Sequence, residues 1–278
     1  MYYGIYKGVF LILYIINRIM PLKSLVIWVG GKRSEIKKYI QYIPDDIDTY
    51  LEPFVGGGAT YFHLNHNKNV ISDVHTELTD FYQCLKNDKN EDIYKFMTTQ
   101  SNNKETYYEI RDNMEVHSPL DNAKRFYYLR KTCYGGMLNY NHNGDFKVSY
   151  GRRKNCNFSN LQNENYVDLL KNTTILNSSF EYIFQNYNNQ NNFMFLDPPY
   201  DCKITNYGYC AFGKEDHIKL AECFKNTNIR CLMIIYKTQF IEDLYDGYIT
   251  DQYYKTYDLN SINKNKVEGS IHLIIKNF

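Results

Sequence analysis

The 278-residue chain has no Cys-x-x-Cys pair, a single tryptophan and no apolar run of membrane-spanning length, and its formal net charge is only +1. Each absence removes a class of protein. The 7 cysteines (Cys84, Cys133, Cys156, Cys202, Cys210, Cys223 and Cys231) are odd in number and scattered, which favours free thiols in a reducing compartment over disulfides or a zinc site. His63 and His66 lie three apart, as on one helix face, but no third ligand is near, so no metal is expected. Val9 to Ile16 is apolar yet far short of the roughly 20 residues a bilayer requires, and no small-residue cleavage site follows it. The expectation is an intracellular, non-secreted protein without a membrane partner. With a net charge near zero there is no global field toward nucleic acid, so any such attraction must come from a local patch.

What is present fits an ordinary soluble protein. Hydrophobic residues make up 44% and charged residues 23%, and the length suffices for one large or two modest domains. Met20 begins Met-Pro-Leu-Lys-Ser and reads as a second possible start, so residues 1–19 are treated as a dispensable extension. Leu25 to Val29 is a short β-type run broken by Gly30 and Gly31, and a charged helical stretch runs from Ser34 to Ile43. Ile47 to Leu51 reads as a strand, Glu52 to Gly58 as a Gly-rich turn, Ala59 to Leu64 as the opening of a helix, and Val70 to Asp73 as the next strand. That is a unit of the type that holds nucleosides. Between about Glu77 and Tyr166 the pattern is mostly helical and polar; strands return from Leu176, with Phe193 to Leu196, Ile229 to Ile235 and Ser270 to Ile275 the clearest. The fold class is therefore α/β with a helical insertion.

Two stretches carry chemistry. Asp197-Pro198-Pro199-Tyr200 follows the apolar run Asn192 to Leu196, so the acid and the prolines fall where a buried strand opens into a crevice. The prolines contribute no N–H and leave carbonyls free to accept, while Asp197 offers a carboxylate and Tyr200 a flat face with a hydroxyl tip. These groups suit a planar molecule bearing an exocyclic NH₂. In the first half, Gly56, Gly57 and Gly58 let backbone approach a ligand and precede a helix N-terminus. No Gly-Lys-Ser/Thr ending follows, which argues against a triphosphate, and Asp73 falls about where an acid holds ribose hydroxyls.

Together these residues resemble the Dam-type, or D12 class, DNA adenine N6-methyltransferases of the alpha group, over about Leu25 to Phe278. Trp28-Val29-Gly30-Gly31-Lys32 is similar to the family's W-x-G-G-K segment, Glu52 to Gly58 to its E-P-F-V-G-G-G donor loop, and Asp197 to Tyr200 to its catalytic D-P-P-Y. The resemblance implies a Rossmann-like S-adenosylmethionine-dependent methyltransferase sheet formed by residues 20–76 and 167–278, and a target-recognition domain at 77–166. It implies S-adenosylmethionine as donor, no metal, and transfer of methyl to N6 of an adenine flipped out of double-stranded DNA, with G-A-T-C the favoured site. Restriction–modification, with a cognate endonuclease, is the implied context. By position, Trp28, Gly30, Gly31, Lys32, Glu52, Pro53, Phe54, Gly56, Gly58, Asp73 and Asp197 are implied donor contacts, Lys32 pairing with the donor carboxylate. Asp197, Pro198, Pro199 and Tyr200 are the implied catalytic groups.

Leu129 to Asn141 with Gly144 to Arg152 resembles the family's recognition hairpin, implying DNA contacts at Arg130, Lys131, Tyr134, Asn139, Asn141, Lys147 and Arg152. From charge alone the same stretch stands out: Lys124, Arg125, Arg130, Lys131, Lys147, Arg152, Arg153 and Lys154 are opposed by Asp145, with Phe126, Tyr127, Tyr128 and Tyr134 interleaved. The chain also departs from its relatives. Lys131 and Asn139 replace usual arginines, Ile234-Ile235 replaces a polar Ser-Asn, and His272 replaces a usual acid. A lysine meets guanine as a point charge and not a bidentate fork, which leaves the target open. Cytosine N4 methylation and a catalytically inactive DNA- or donor-binding relative are the alternatives.

Overall fold

A computed structural model of the chain describes residues 21–153, 155–201, 212–256 and 269–278. The expected extension 1–19, Met20, Lys154, Cys202 and Cys210 lie outside them. The strands are β1 (Tyr50–Glu52), β2 (Asn69–Ser72), β3 (Thr173–Leu176), β4 (Phe193–Leu196), β5 (Arg230–Tyr236), β6 (Ile249–Thr256) and β7 (Gly269–Lys276). They form one sheet in the order β3-β2-β1-β4-β5-β7-β6. The first five neighbours run parallel, and β7 is antiparallel to both β5 and β6.

Alternation along the strands shows why their sequences are nearly continuous in apolar residues. Tyr50, Ile71, Phe193, Phe195, Leu232 and Ile234 enter one core, while Leu51, Val70, Met194, Leu196, Met233 and Ile235 enter the other. A sheet covered on both faces needs no polar side. Ile234 and Ile235 are both fully buried in these two layers.

The helices are α1 (Ile36–Tyr39), α2 (Ala59–Leu64), α3 (Thr76–Lys86), α4 (Asn90–Thr99), α5 (Lys104–Asp112), α6 (Pro119–Thr132), α7 (Glu164–Lys171), α8 (Phe180–Asn186), α9 (Lys214–Asn226) and α10 (Gln239–Leu244). Helix α6 begins where Ser118 accepts from the Asp121 N–H at 3.1 Å, with Pro119 in the first turn, where its missing donor is harmless. Phe81 of α3 and Phe126, Tyr127 and Tyr128 of α6 belong to the same core as sheet residues Tyr50 and Phe193, so residues 77–166 bury their apolar faces against the sheet layer. Among the described residues no helix is long and apolar enough to cross a membrane.

Two sequence expectations change. Leu25 to Val29 is not a strand: Leu25 and Val26 are buried in irregular backbone, and the Ile27 carbonyl accepts from the Arg130 guanidinium instead of from a neighbouring strand. The helical stretch 34–43 is broken into a 3₁₀ turn at Lys32–Ser34, the single turn α1 and a second 3₁₀ turn at Ile40–Tyr42.

Candidate active site

Strands β1 and β4 are neighbours, and from them the chain proceeds outward in opposite directions, to β2 and β3 on one side and to β5 on the other. At such a reversal the carboxyl ends of an open α/β sheet leave a crevice that holds ligands. A cavity of about 230 Å³ lies there. Glu52, Pro53, Phe54, Gly56 and Asp73 line it from the β1 and β2 ends, Asp197, Pro198, Pro199 and Tyr200 from the β4 end, and Trp28, Gly30, Gly31 and Lys32 from the segment before α1. The three sequence motifs thus converge on one space.

The turn after β1 is shaped by glycine. Gly56 has φ +45°, and a Cβ there would lie 2.6 Å from Trp28 Nε1, so any side chain would displace the tryptophan from the cavity wall. Gly58 does not line the cavity; at φ +65° it caps α2, and its absent Cβ leaves room for the Phe62 ring. Asp73 is held from both sides, one oxygen accepting the Gly56 N–H and the other the His75 N–H, each at 3.0 Å. Burial raises its pKa to about 6 against those backbone bonds. Glu52 is buried too, accepts from the Tyr50 hydroxyl at 2.6 Å, and is pushed by burial to about 8, so it carries a proton at neutral pH.

Lys32 lies against Asp197 and Tyr200. Its ammonium donates to Asp197 Oδ1, to the Tyr200 hydroxyl at 2.7 Å and to the Gly30 carbonyl at 3.3 Å, which uses all three of its donors. It therefore sits within the Asp-Pro-Pro-Tyr half of the site. Burial alone would discharge this lysine, but the carboxylates of Asp197 and Glu35 outweigh it and raise its pKa. Glu35, also buried, accepts from Lys255 at 2.5 Å and from Tyr253 at 2.7 Å and is bonded to His272 Nδ1 at 2.6 Å. Despite burial, those bonds and Lys32 hold Glu35 down at about 2. His272, where relatives carry an acid, packs edge-on against the Tyr200 ring at 5.3 Å, and Tyr236 stacks on the same ring at 6.2 Å.

Other lining residues carried no motif. Phe180 and Phe212 join Phe54 of the donor loop in an aromatic wall with centroid separations of 5.6, 5.7 and 6.0 Å, and Leu138 reaches the cavity from the loop after α6. Phe180 had a usable signal, since it follows the end of β3 as Asp73 follows β2. Phe212 and Leu138 had none, because their approach depends on folding at long range.

The basic stretch 124–153 divides on folding. Arg130, expected to face DNA, is 1% exposed: it donates to the carbonyls of Ile27, Met137 and Gly136 and lies over the Trp28 ring at 5.6 Å. It is a clamp that closes the loop after α6 onto the Trp28 segment. Arg125 pairs with Glu77 at 3.1 Å, and Lys131 rests over the Tyr127 ring with its pKa lowered by burial. Phe126, Tyr127 and Tyr128 are core, whereas Tyr134 is 58% exposed. Asn139, Lys147 and Arg152 are exposed, Lys147 within 3.5 Å of Asp145, and Asn141 is tied to Asp145 through its side-chain amide. The expected hairpin is a loop closed by two isolated bridges, Cys133 with Tyr150 and Tyr140 with Phe146.

A parallel sheet with an antiparallel β7 inserted beside β5, and a strand-end cavity floored by a Gly-rich turn and an acid, define a Rossmann-like methyltransferase. The chain belongs to the D12 class N6 adenine-specific DNA methyltransferases, whose family model matches residues 28–262. It is 49% identical over 261 residues to the type II methyltransferase M.CviBI of Paramecium bursaria Chlorella virus NC1A, covering 92% of this chain and 100% of that protein. It is 31% identical over 290 residues to the type II methyltransferase M.MjaIII of Methanocaldococcus jannaschii, covering 93% and 100%. With the DNA adenine methylase of Vibrio cholerae the identity is 24% over 266 residues, covering 90% and 95%. Of the bases left open by the sequence, adenine is therefore the acceptor, and membership implies S-adenosylmethionine as donor.

Proposed function

We propose that this protein methylates N6 of an adenine flipped from double-stranded DNA into the crevice between β1 and β4, with Asp197 and the Pro198 carbonyl as acceptors for the amino protons. The observation that carries the proposal is the convergence of Asp197 to Tyr200, the Glu52 to Gly58 turn and Asp73 on one cavity. Flipping is required because N6 inside the duplex cannot meet an in-line donor. The Tyr200 face offsets part of the unstacking cost. Acceptance of both protons increases electron density at nitrogen and orients it, a combination of positioning and electrostatics. The bond from Lys32 to Asp197 and Tyr200 holds the two groups in register.

The cavity suits S-adenosylmethionine chemically: Asp73 retains lone pairs beyond its two backbone bonds for ribose hydroxyls, Phe54, Phe180 and Phe212 offer faces for a base, and the turn at Gly56 presents backbone without side chains. When bound, it supplies an electrophilic methyl on a sulfonium. We assign residues 77–166 to target recognition, with Tyr134, Asn139, Lys147 and Arg152 as the exposed groups toward DNA. The first duplex to test carries G-A-T-C, the site the resemblance favours. The packing of half-buried Lys131 on the Tyr127 ring and the asparagine at 139 argue that the flanking bases are read differently from the paired arginines that the resemblance implies. The type II relatives support a place in restriction–modification inside the cell, beside an endonuclease of matching target.

Expression in a methylation-free host, followed by sequencing that detects N6-methyladenine, reads activity and target together. Asp197→Ala should lower methylation by at least about a hundredfold with the fold retained. Full activity in that variant, or donor binding without methylation of any DNA by the wild type, would overturn the assignment.

A further inference from the structure

We infer that Tyr140 is a positioning residue whose hydroxyl couples the donor cavity to the DNA-facing loop, so that each ligand tightens the other. The inference rests on the function proposed above. Its basis is a complete hydrogen-bond chain. The Asp73 carboxylate, in the cavity wall, accepts the His75 N–H at 3.0 Å. The His75 ring, buried, accepts the Leu78 N–H on Nδ1 at 3.3 Å and meets the Tyr140 hydroxyl on Nε2 at 2.8 Å. The Tyr140 hydroxyl donates to Glu77 Oε2 at 2.7 Å, and Arg125 holds the other Glu77 oxygen at 3.1 Å. A hydroxyl has one proton to give, and Tyr140 gives it to Glu77. Nδ1 is the acceptor, so Nε2 carries the hydrogen and donates to Tyr140, which in turn donates to Glu77.

The ring is thereby neutral, in agreement with a pKa lowered to about 3 by burial and by the charge of Arg130. His75 also packs edge-on against Trp28 at 5.6 Å, and Trp28 lines the cavity. The loop carrying Tyr140 therefore rests on both sides of the donor space. Arg130 ties Gly136 and Met137 to Ile27, beside Trp28, and Tyr140 ties the far limb to the turn after Asp73. Between these anchors, Leu138 lines the cavity, while Tyr134, Met137 and Asn139 are exposed. A donor that packs on Leu138 and Asp73 orders the surface DNA must meet, and DNA that seats the loop orders the donor wall. Such a coupling is reciprocal by linkage.

The test is the dissociation constant of S-adenosylhomocysteine, measured with and without unmethylated plasmid fragments, for wild type and Tyr140→Phe. Phenylalanine keeps the ring contacts with His75 and Phe146 and removes only the hydroxyl. Wild type should show mutual tightening of about fivefold or more, and the variant a ratio within about twofold of unity. With DNA present, the donor KM of the variant should rise while kcat at saturation of both ligands stays close to wild type. Glu77→Gln, which still offers Tyr140 an amide oxygen, should retain part of the coupling that Tyr140→Phe loses, a difference that mere loss of stability would not produce. Equal ratios in wild type and Tyr140→Phe, or a wild-type ratio of unity with both ligands bound, would overturn the inference. Failure of the wild type to bind DNA at all would instead overturn the proposed function.

Discussion

The crevice between β1 and β4 and the segment from the end of α6 to Arg152 both contain cations that look alike in sequence, yet they use them differently. In the crevice, Lys32 is buried and its charge is matched by Asp197 and Glu35. In the last turn of α6, Arg130 is buried with a ring of carbonyls as its partners, whereas Arg152, twenty-two positions later, is exposed. A buried cation without partners carries a large desolvation penalty, so the inner ones are committed to holding structure. Only the outer ones are available to phosphate. Among the described cations of the basic patch, Arg130 is buried and Arg125 is paired with Glu77, so the patch contributes fewer phosphate-facing charges than it contains.

The largest break in this comparison should come from Arg130→Met. The change removes the donor shared by the Ile27, Gly136 and Met137 carbonyls and should destabilise the protein by about 3 kcal/mol in urea unfolding. An unfolding midpoint equal to wild type would return Arg130 to the DNA face.

A smaller effect concerns Glu52. Its folded pKa, about 8, exceeds the ordinary carboxylate value, so its contribution to stability is full at low pH and is lost as pH rises through about 8. Wild-type stability should fall between about pH 5 and 8 by at most roughly 1.4 kcal/mol per unit from this group. Glu52→Gln, an isostere of the protonated acid, should flatten that slope in thermal unfolding followed across the range. An unchanged slope would mean that Glu52 is ionised in the fold.

The smallest effect is expected at the surface. Arg152→Ala should leave stability within about 0.5 kcal/mol of wild type. It should weaken DNA binding about equally across sequences and reduce the salt slope by about 1. A change in target preference would instead make Arg152 a base reader.

Much of the fold was legible because its signals are local. Strands β2, β4, β5 and β7 and the helix after the Gly-rich turn announced themselves by apolar runs, glycines and strand-end acids. The run Leu25 to Val29 misled for a physical reason: burial alone makes a segment apolar, and whether it becomes a strand depends on a free sheet edge, which here is replaced by the Arg130 clamp. In the site, the motif residues other than Gly58 line one cavity, and the contact of Lys32 with Asp197 did not follow from sequence. Which acid lies within bonding distance of Lys32 is decided by folding across 165 positions.

The amino-acid sequence by itself determined the family, the sheet class and the acid-proline turn at the end of β4, because motif identity and hydrophobic periodicity are properties of neighbouring residues. Only the tertiary structure decided which cations are buried, that Phe180, Phe212 and Leu138 close the cavity, and that Tyr140 meets His75 across 65 positions. Burial and hydrogen-bond partnership depend on contacts distant in the chain, and in a low-dielectric interior they change what a charged side chain can do.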